Sequence, residues 1–282
     1  EIQANGRDGA TLAEVDLQLT GNTFTNNAGR AAYITSGSLK AIGNNSGSGN
    51  GTGAIALAGS FTGDTTLPGN PGGFPYAFNM WVESGSTWTL GAGAIVKNLP
   101  GASPSIRGML VSQGTAAQPV FITSIRDDSV GGDSNNDGNV SSPAPGDWGE
   151  MDIASGGSAT FDHTIIRYGG GSGSSSHNLG LSDTAQATLR NSTVSHSKMY
   201  GIYLAFNLTG QVNRLTVENS IIANNLVDGI YAGSTNGRHE VSVSGSSIFG
   251  SGRYGIFNGD GDSSLVEAAY NYWGSPSGPA RW

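Results

Sequence analysis

The chain has 282 residues, among them 46 glycines and no cysteine, and only 12% are charged. Glycine in that quantity excludes a helical protein, and its lack of a three-residue period excludes collagen. The net charge of −8 and the absence of any basic run exclude nucleic-acid binding by phosphate neutralisation, and no stretch reaches the ~18 apolar residues of a membrane span. Without cysteine there is no disulfide and no thiolate-ligated metal, a composition that fits export from a bacterial cell.

In chain order, the first strand pattern is Val15-Asp16-Leu17-Gln18-Leu19, and residues 15–60 carry weak rungs closing at Gly53-Ala54-Ile55-Ala56-Leu57-Ala58. Residues 62–77, rich in Gly, Pro and Thr, read as a loop. Regular short strands occupy 79–125, beginning with Trp81–Leu90. Residues 126–149 form a long acidic, polar excursion, and from 150 to 282 the strands recur with clear periodicity.

That period carries the fold. Phe161-Asp162-His163, Leu189-Arg190-Asn191, Val217-Glu218-Asn219, Val243-Ser244-Gly245 and Ala269-Tyr270-Asn271 open five copies whose third positions are 28, 28, 26 and 26 residues apart. Gly201-Ile202-Tyr203, Gly229-Ile230-Tyr231 and Gly255-Ile256-Phe257 follow at a constant offset. An earlier copy stands at Leu19-Thr20-Gly21-Asn22-Thr23-Phe24. A unit this short cannot bury its own apolar face, so copies must stack in register. The expected fold is all-β: a parallel β-solenoid forming one elongated domain over 1–282. In such a stack Asn191, Asn219 and Asn271 share a turn column, where Asn tolerates left-handed backbone. Gly201, Gly229 and Gly255 would supply turns with positive φ. A β-sandwich also has short strands between turns, but it has no reason to repeat residue types at this spacing.

The segment Val217–Tyr231 resembles the right-handed parallel β-helix repeat of the pectate-lyase-like superfamily. The ending Asn271-Tyr272-Trp273-Gly274-Ser275-Pro276-Ser277-Gly278-Pro279, and the block Asp127–Gly138 followed by Gly146-Asp147-Trp148-Gly149, are similar to motifs of bacterial secreted and surface β-helix proteins. The resemblance implies the right-handed fold. It does not select an activity, because that superfamily holds lyases, hydrolases, adhesins and inert stalks alike.

Candidate chemistry concentrates in the excursion, where seven of the 21 acids lie between Asp127 and Asp152. Asp133, Asn135, Asp137, Gly138 and Asn139 match the first half of an EF-hand loop, with oxygen ligands at positions 1, 3 and 5, the turn glycine at 6 and a backbone carbonyl at 7. Position 12, normally a bidentate Glu, is Ala144. Asp127, Asp128 or Asp147 would have to fold back to complete a structural Ca²⁺ site. A solvated, Asx-rich turn is the bland alternative.

Elsewhere the ladder argues against catalysis. Asp162, Arg190 and Glu218 share a position and read as an outward charge ladder, not the carboxylate pair of a glycosidase. Ser192, Ser220 and Ser246 share another, so none is singled out as a nucleophile. His163, Arg167, His177 and Asp183 would make a groove if they converged; otherwise His163 takes the Asn place in the turn and Arg167 faces solvent. Tyr203, Tyr231 and Phe257 form one column. Inside, it is core; outside, it is a carbohydrate-stacking stripe. Of five tryptophans, most read as core or end plugs, Trp282 among them.

The sequence thus points to a non-enzymatic, extracellular or cell-surface building block of a bacterial filament, appendage or surface layer. Its expected partners are further copies end to end, or other domains of a longer chain. A polysaccharide lyase or glycoside hydrolase is one alternative, and a carbohydrate-binding adhesin is another.

Overall fold

The structure is a computed structural model that describes residues 1–70, 74–171, 173, 176–204, 210–233, 237–259 and 264–275. Among them are 27 strands and no helix, and every pairing in the three sheets is parallel. The chain winds through about ten coils, so each strand inside a sheet pairs with the strand one coil earlier and one coil later.

From residue 76 onward each coil has three faces. In one coil the strand Thr164–Arg167 lies on the first face, His177–Leu181 on the second and Gln186–Arg190 on the third. Columns run through them in strict register: Ile165–Thr193–Ile221–Ser247, Gly180–Tyr203–Tyr231–Phe257 and Phe161–Leu189–Val217–Val243. Side chains alternate along each strand. In the third column they point inward, and Phe161, Leu189, Val217 and Val243 are all buried. The first coils differ. Long strands at Ala10–Thr20, Arg30–Gly43 and Thr52–Phe61 bend across a corner that later coils break with a turn.

Two sharp corners bound the short first face. Before it, His163, Asn191, Asn219, Gly245 and Tyr270 all have positive φ; after it, Tyr168, His196, Asn224, Gly250 and Gly274 do. Left-handed backbone favours Gly and Asn, which hold most of these places. The early copy obeys the same rule, with Gly21 and Asn44 before the face and Asn26 and Gly49 after it.

Next to each corner a polar side chain caps the preceding coil. Thr164 N–H donates to Ser192 Oγ at 3.0 Å, Ser192 N–H to Ser220 Oγ at 3.1 Å, and Ser220 N–H to Ser246 Oγ at 3.0 Å. In the first coils asparagines do the same work: Asn5 N–H donates to Asn27 Oδ1 and Asn27 N–H to Asn50 Oδ1, each at 3.2 Å. Such bonds satisfy backbone groups at corners, where the strand ladder lapses.

Several expectations need correction. Asn271 is not in the column of Asn191 and Asn219. Its Oδ1 accepts from Ser246 N–H at 2.9 Å, which puts it in the serine column, and Tyr270 takes the left-handed corner. The last coil is simply one residue shorter there. Gly201, Gly229 and Gly255 lie within second-face strands and none has positive φ. They are glycines because adjacent coils touch: a Cβ on Gly229 would sit 2.5 Å from Gly255 O. Residues 62–77 are not one loop, since Thr65–Leu67 and Tyr76–Val82 are strands. Leu67, Phe74 and Tyr76 point into the core, and residues 71–73 of that stretch lie outside the described residues. Strand structure also begins before Val15, at Ile2–Gln3 and Ala10–Thr20.

The core is one continuous column of buried apolar side chains. Within it Phe61, Phe78 and Trp88 pack together, with the phenylalanine ring centroids 5.2 and 6.5 Å from Trp88 in edge-on contact. Trp88 and Trp148 are fully buried, Trp81 is 43% exposed, and Trp282 lies outside the described residues.

Candidate functional site

The excursion leaves the solenoid after the strand Val120–Ser124 and rejoins it before Met151–Ile153. It contains no strand; it runs back across the first face toward earlier coils, where Gly53 N–H donates to Ser134 O at 2.8 Å. Both roots are pinned by ion pairs. Asp127 is buried and faces Arg167, with Thr123 and Ser129 hydroxyls each donating to it at 2.6 Å. Asp147 takes Arg126 at 2.8 Å and the Ser124 hydroxyl at 2.7 Å. Burial pushes the Asp127 carboxyl up, but the Ser129 and Thr123 hydroxyls and Arg167 outweigh it and hold the group below the usual carboxylate range.

Asp127 and Asp147 are therefore anchors, not members of the acidic cluster, although the sequence offered both. The residue that folds back is Asp128. Its carboxylate, with those of Asp133 and Asp137, places oxygens within 4.8 Å of one another. Local turn geometry builds the rest: Asp133 accepts the N–H groups of Asp137 at 3.2 Å and Gly138 at 2.8 Å, and Asn136 and Gly138 are left-handed. Asn135 Nδ2 donates to Asp137 Oδ2 at 2.8 Å, which leaves the Asn135 carbonyl oxygen turned the other way. Asn139 is exposed at the end of the turn.

Three oxygens here, Asp128 Oδ1, Asn135 Oδ1 and Asp137 Oδ1, are buried without a hydrogen-bond donor. Beneath them the side chain of Lys97 is fully buried and its Nζ donates to Gly132 O. Burial pulls the Lys97 amine down in pKa, and Asp128, Asp127 and Asp133 oppose that. Burial pushes the Asp128 carboxyl up; Lys97 works against it, and Asp133, Asp137 and Asp127 add to it. One lysine does not balance three carboxylates, and oxygens that lack donors suit a hard divalent cation.

The other candidates do not converge. His163 Nδ1 is 2.7 Å from Asp162 Oδ1 at the corner before the first face. Arg167 does not face solvent but covers Asp127. His177 is buried on the second face, 3.0 Å from Asp152 Oδ1, and Asp183 sits in a later turn. The charge ladder is real: Arg190 reaches Glu218 at 2.8 Å, one coil on, and Arg214 reaches Glu240 at 2.9 Å.

The aromatic column faces outward and is half-buried, so the core reading is wrong for Tyr203, Tyr231 and Phe257. Ring centroids are 5.2 Å apart for Tyr203–Tyr231 and 5.1 Å for Tyr231–Phe257, in stacked geometry. The stack is longer than the sequence indicated. Gly180 leaves its place in the column bare, and the His177 ring lies over it and stacks on Tyr203 at 5.2 Å. Tyr200 and Tyr254 stack beside it, three residues before Tyr203 and Phe257. Asp228 occupies the Tyr200 place in its own coil. It is fully buried, and it accepts from Arg253 Nε and from Tyr254 N–H, each at 3.0 Å. The i−3 recurrence of His177, Tyr200, Asp228 and Tyr254 was the signal available in sequence. Because the rings stack, each covers part of a neighbour's face, and face area is what a sugar would need.

Residues 148–269 match a family model described as "Right handed beta helix region". No curated protein and no solved structure matches the chain. Taken together, the family match over 148–269 and about ten parallel coils in register support a right-handed β-helix repeat protein.

Proposed function

We propose that the chain is a non-enzymatic, extracellular building block of a bacterial filament or surface layer that associates through its ends. The observation that carries this reading is an asymmetry of exposed apolar surface. Ten large apolar side chains stand exposed among the described residues, and seven of them lie beyond residue 220: Ile221, Leu226, Phe249, Tyr254, Leu265, Tyr270 and Tyr272. Within the last coils Ile256, Val266, Ala268 and Trp273 are only partly buried against the core. At the opposite end Ile2, Leu12 and Leu17 are half-buried and stand in register with Phe24, Ile34 and Leu39. Half-covered interior columns of this kind can continue into another copy or into further coils of a longer chain, and a head-to-tail contact between copies leaves a free end at each step. Laterally, charged side chains pair with their own neighbours one coil away, and a net −8 disfavours side-by-side clumping. An exported setting fits a chain without cysteine.

Light scattering and electron microscopy over a concentration series test the proposal, with Leu265→Asp and Phe249→Ser as variants and circular dichroism as the check on folding. Mass that grows with concentration in the parent and stays monomeric in folded variants is expected. A parent that stays monomeric at every concentration overturns it. Turnover of pectate, alginate or a neutral glucan would overturn the non-enzymatic part.

The same reading includes a structural Ca²⁺ held by the carboxylates of Asp128, Asp133 and Asp137, supported by the donor-less Oδ1 atoms of Asp128 and Asp137. A carbohydrate contact along Tyr203, Tyr231 and Phe257 is the second reading, favoured by their outward placement. Glycan binding lost in Tyr231→Ala would establish it over passive scaffolding.

A further inference from the structure

We draw no further inference here: the strongest candidate, the outward ring stack of His177, Tyr200, Tyr203, Tyr231, Tyr254 and Phe257 on the second face, has its ring faces turned on one another, and nothing in the structure shows what covers it.

Discussion

Asp128 and Asp127 are neighbours in sequence with opposite surroundings, and their difference sets the behaviour of the excursion. Asp127 meets Arg167 and two hydroxyls; Asp128 meets two more carboxylates and a single buried lysine. Removing one or more cluster carboxylates should therefore abolish Ca²⁺ binding without unfolding the solenoid. Calorimetric titration of metal-stripped protein should show binding that is lost in Asp133→Asn and Asp137→Asn, while melting in chelator is unchanged or raised in those variants. Absence of binding in the parent protein would refute the site. The pH dependence follows from the same two groups. An acid raised in the native state, as Asp128 is, contributes stability that is lost as pH rises above the ordinary carboxylate value toward its own. An acid lowered in the native state, as Asp127 is, contributes stability that is lost as pH falls from the ordinary value toward its own. The combined contribution of these two groups to the metal-free protein should therefore be greatest near the ordinary carboxylate value and fall on either side of it. Ca²⁺ should remove the decline on the alkaline side. Thermal melts with and without Ca²⁺ across pH check this, and identical profiles would contradict it. The Asp-x-Asn-x-Asp-Gly half of the site was legible in sequence because its geometry is local. The choice of Asp128 over Asp127 and Asp147 was not, because it depends on which acid an arginine reaches first. Arg167 comes from 40 residues away.

At the scale of the coil, corners and close contacts account for why some repeat positions are fixed and others vary. Asn191 and Asn219 hold φ of 50° and 49°, and Gly245 takes the same corner one coil later. A residue with a Cβ and no local hydrogen-bonding group costs roughly 1 kcal/mol or more in that conformation. Asn219→Val should therefore destabilise by about 1–2 kcal/mol, and Asn219→Gly should leave stability within about 0.5 kcal/mol of the parent. Denaturant titration reads both, and equal losses would mean that the corner is held by something other than backbone preference. Gly229 makes the complementary case. Its added Cβ would meet backbone, not a movable side chain, at 2.5 Å. Gly229→Ala should thus destabilise by about 1–3 kcal/mol, the usual range for overpacking, although Ala is the better residue for an ordinary strand. A neutral result would show that the coils can part. The repeat spacing located these glycines but not their purpose. A left-handed turn and a close approach leave the same letter, and only the register between coils separates them. For the same reason Asn271 looked like a third corner asparagine until the shortened last coil put it beside Ser246.

Taken as a whole molecule, a solenoid is close to one-dimensional, so its stability is a sum over coils and contacts between neighbours. Those terms are unequal here. The middle coils enclose Trp88, Trp148, Phe61 and Phe78 without exposure, and their strands alternate between buried and outward side chains. In the last coils no residue of the strands Leu265–Ala269 and Tyr254–Asn258 is fully buried: the former still alternates but its inward residues are only half-covered, and the middle of the latter is half-covered throughout. The clear repeats of the C-terminal half made it the most legible part of the fold, yet its last coils are the least enclosed. Most of the large aromatic side chains that are fully buried instead lie before the clear repeats, where the sequence shows only weak rungs and short regular strands. Periodicity reports that coils stack; it does not report how much apolar volume each one buries. Hydrogen exchange measured at low protein concentration should accordingly show slowest exchange in the strands Tyr76–Val82, Met109–Gln113 and Ser158–Asp162, and fastest in Tyr254–Asn258 and Leu265–Ala269. Raising the concentration adds a second coil against the open end if copies join there. Protection should then rise selectively in the last coils and in Ile2–Gln3 and Ala10–Thr20, with the middle unchanged. The Leu265→Asp variant should keep the low-concentration pattern throughout. Uniform protection along the chain would show a single cooperative unit, and a gradient that ignores concentration would show that the ends do not meet.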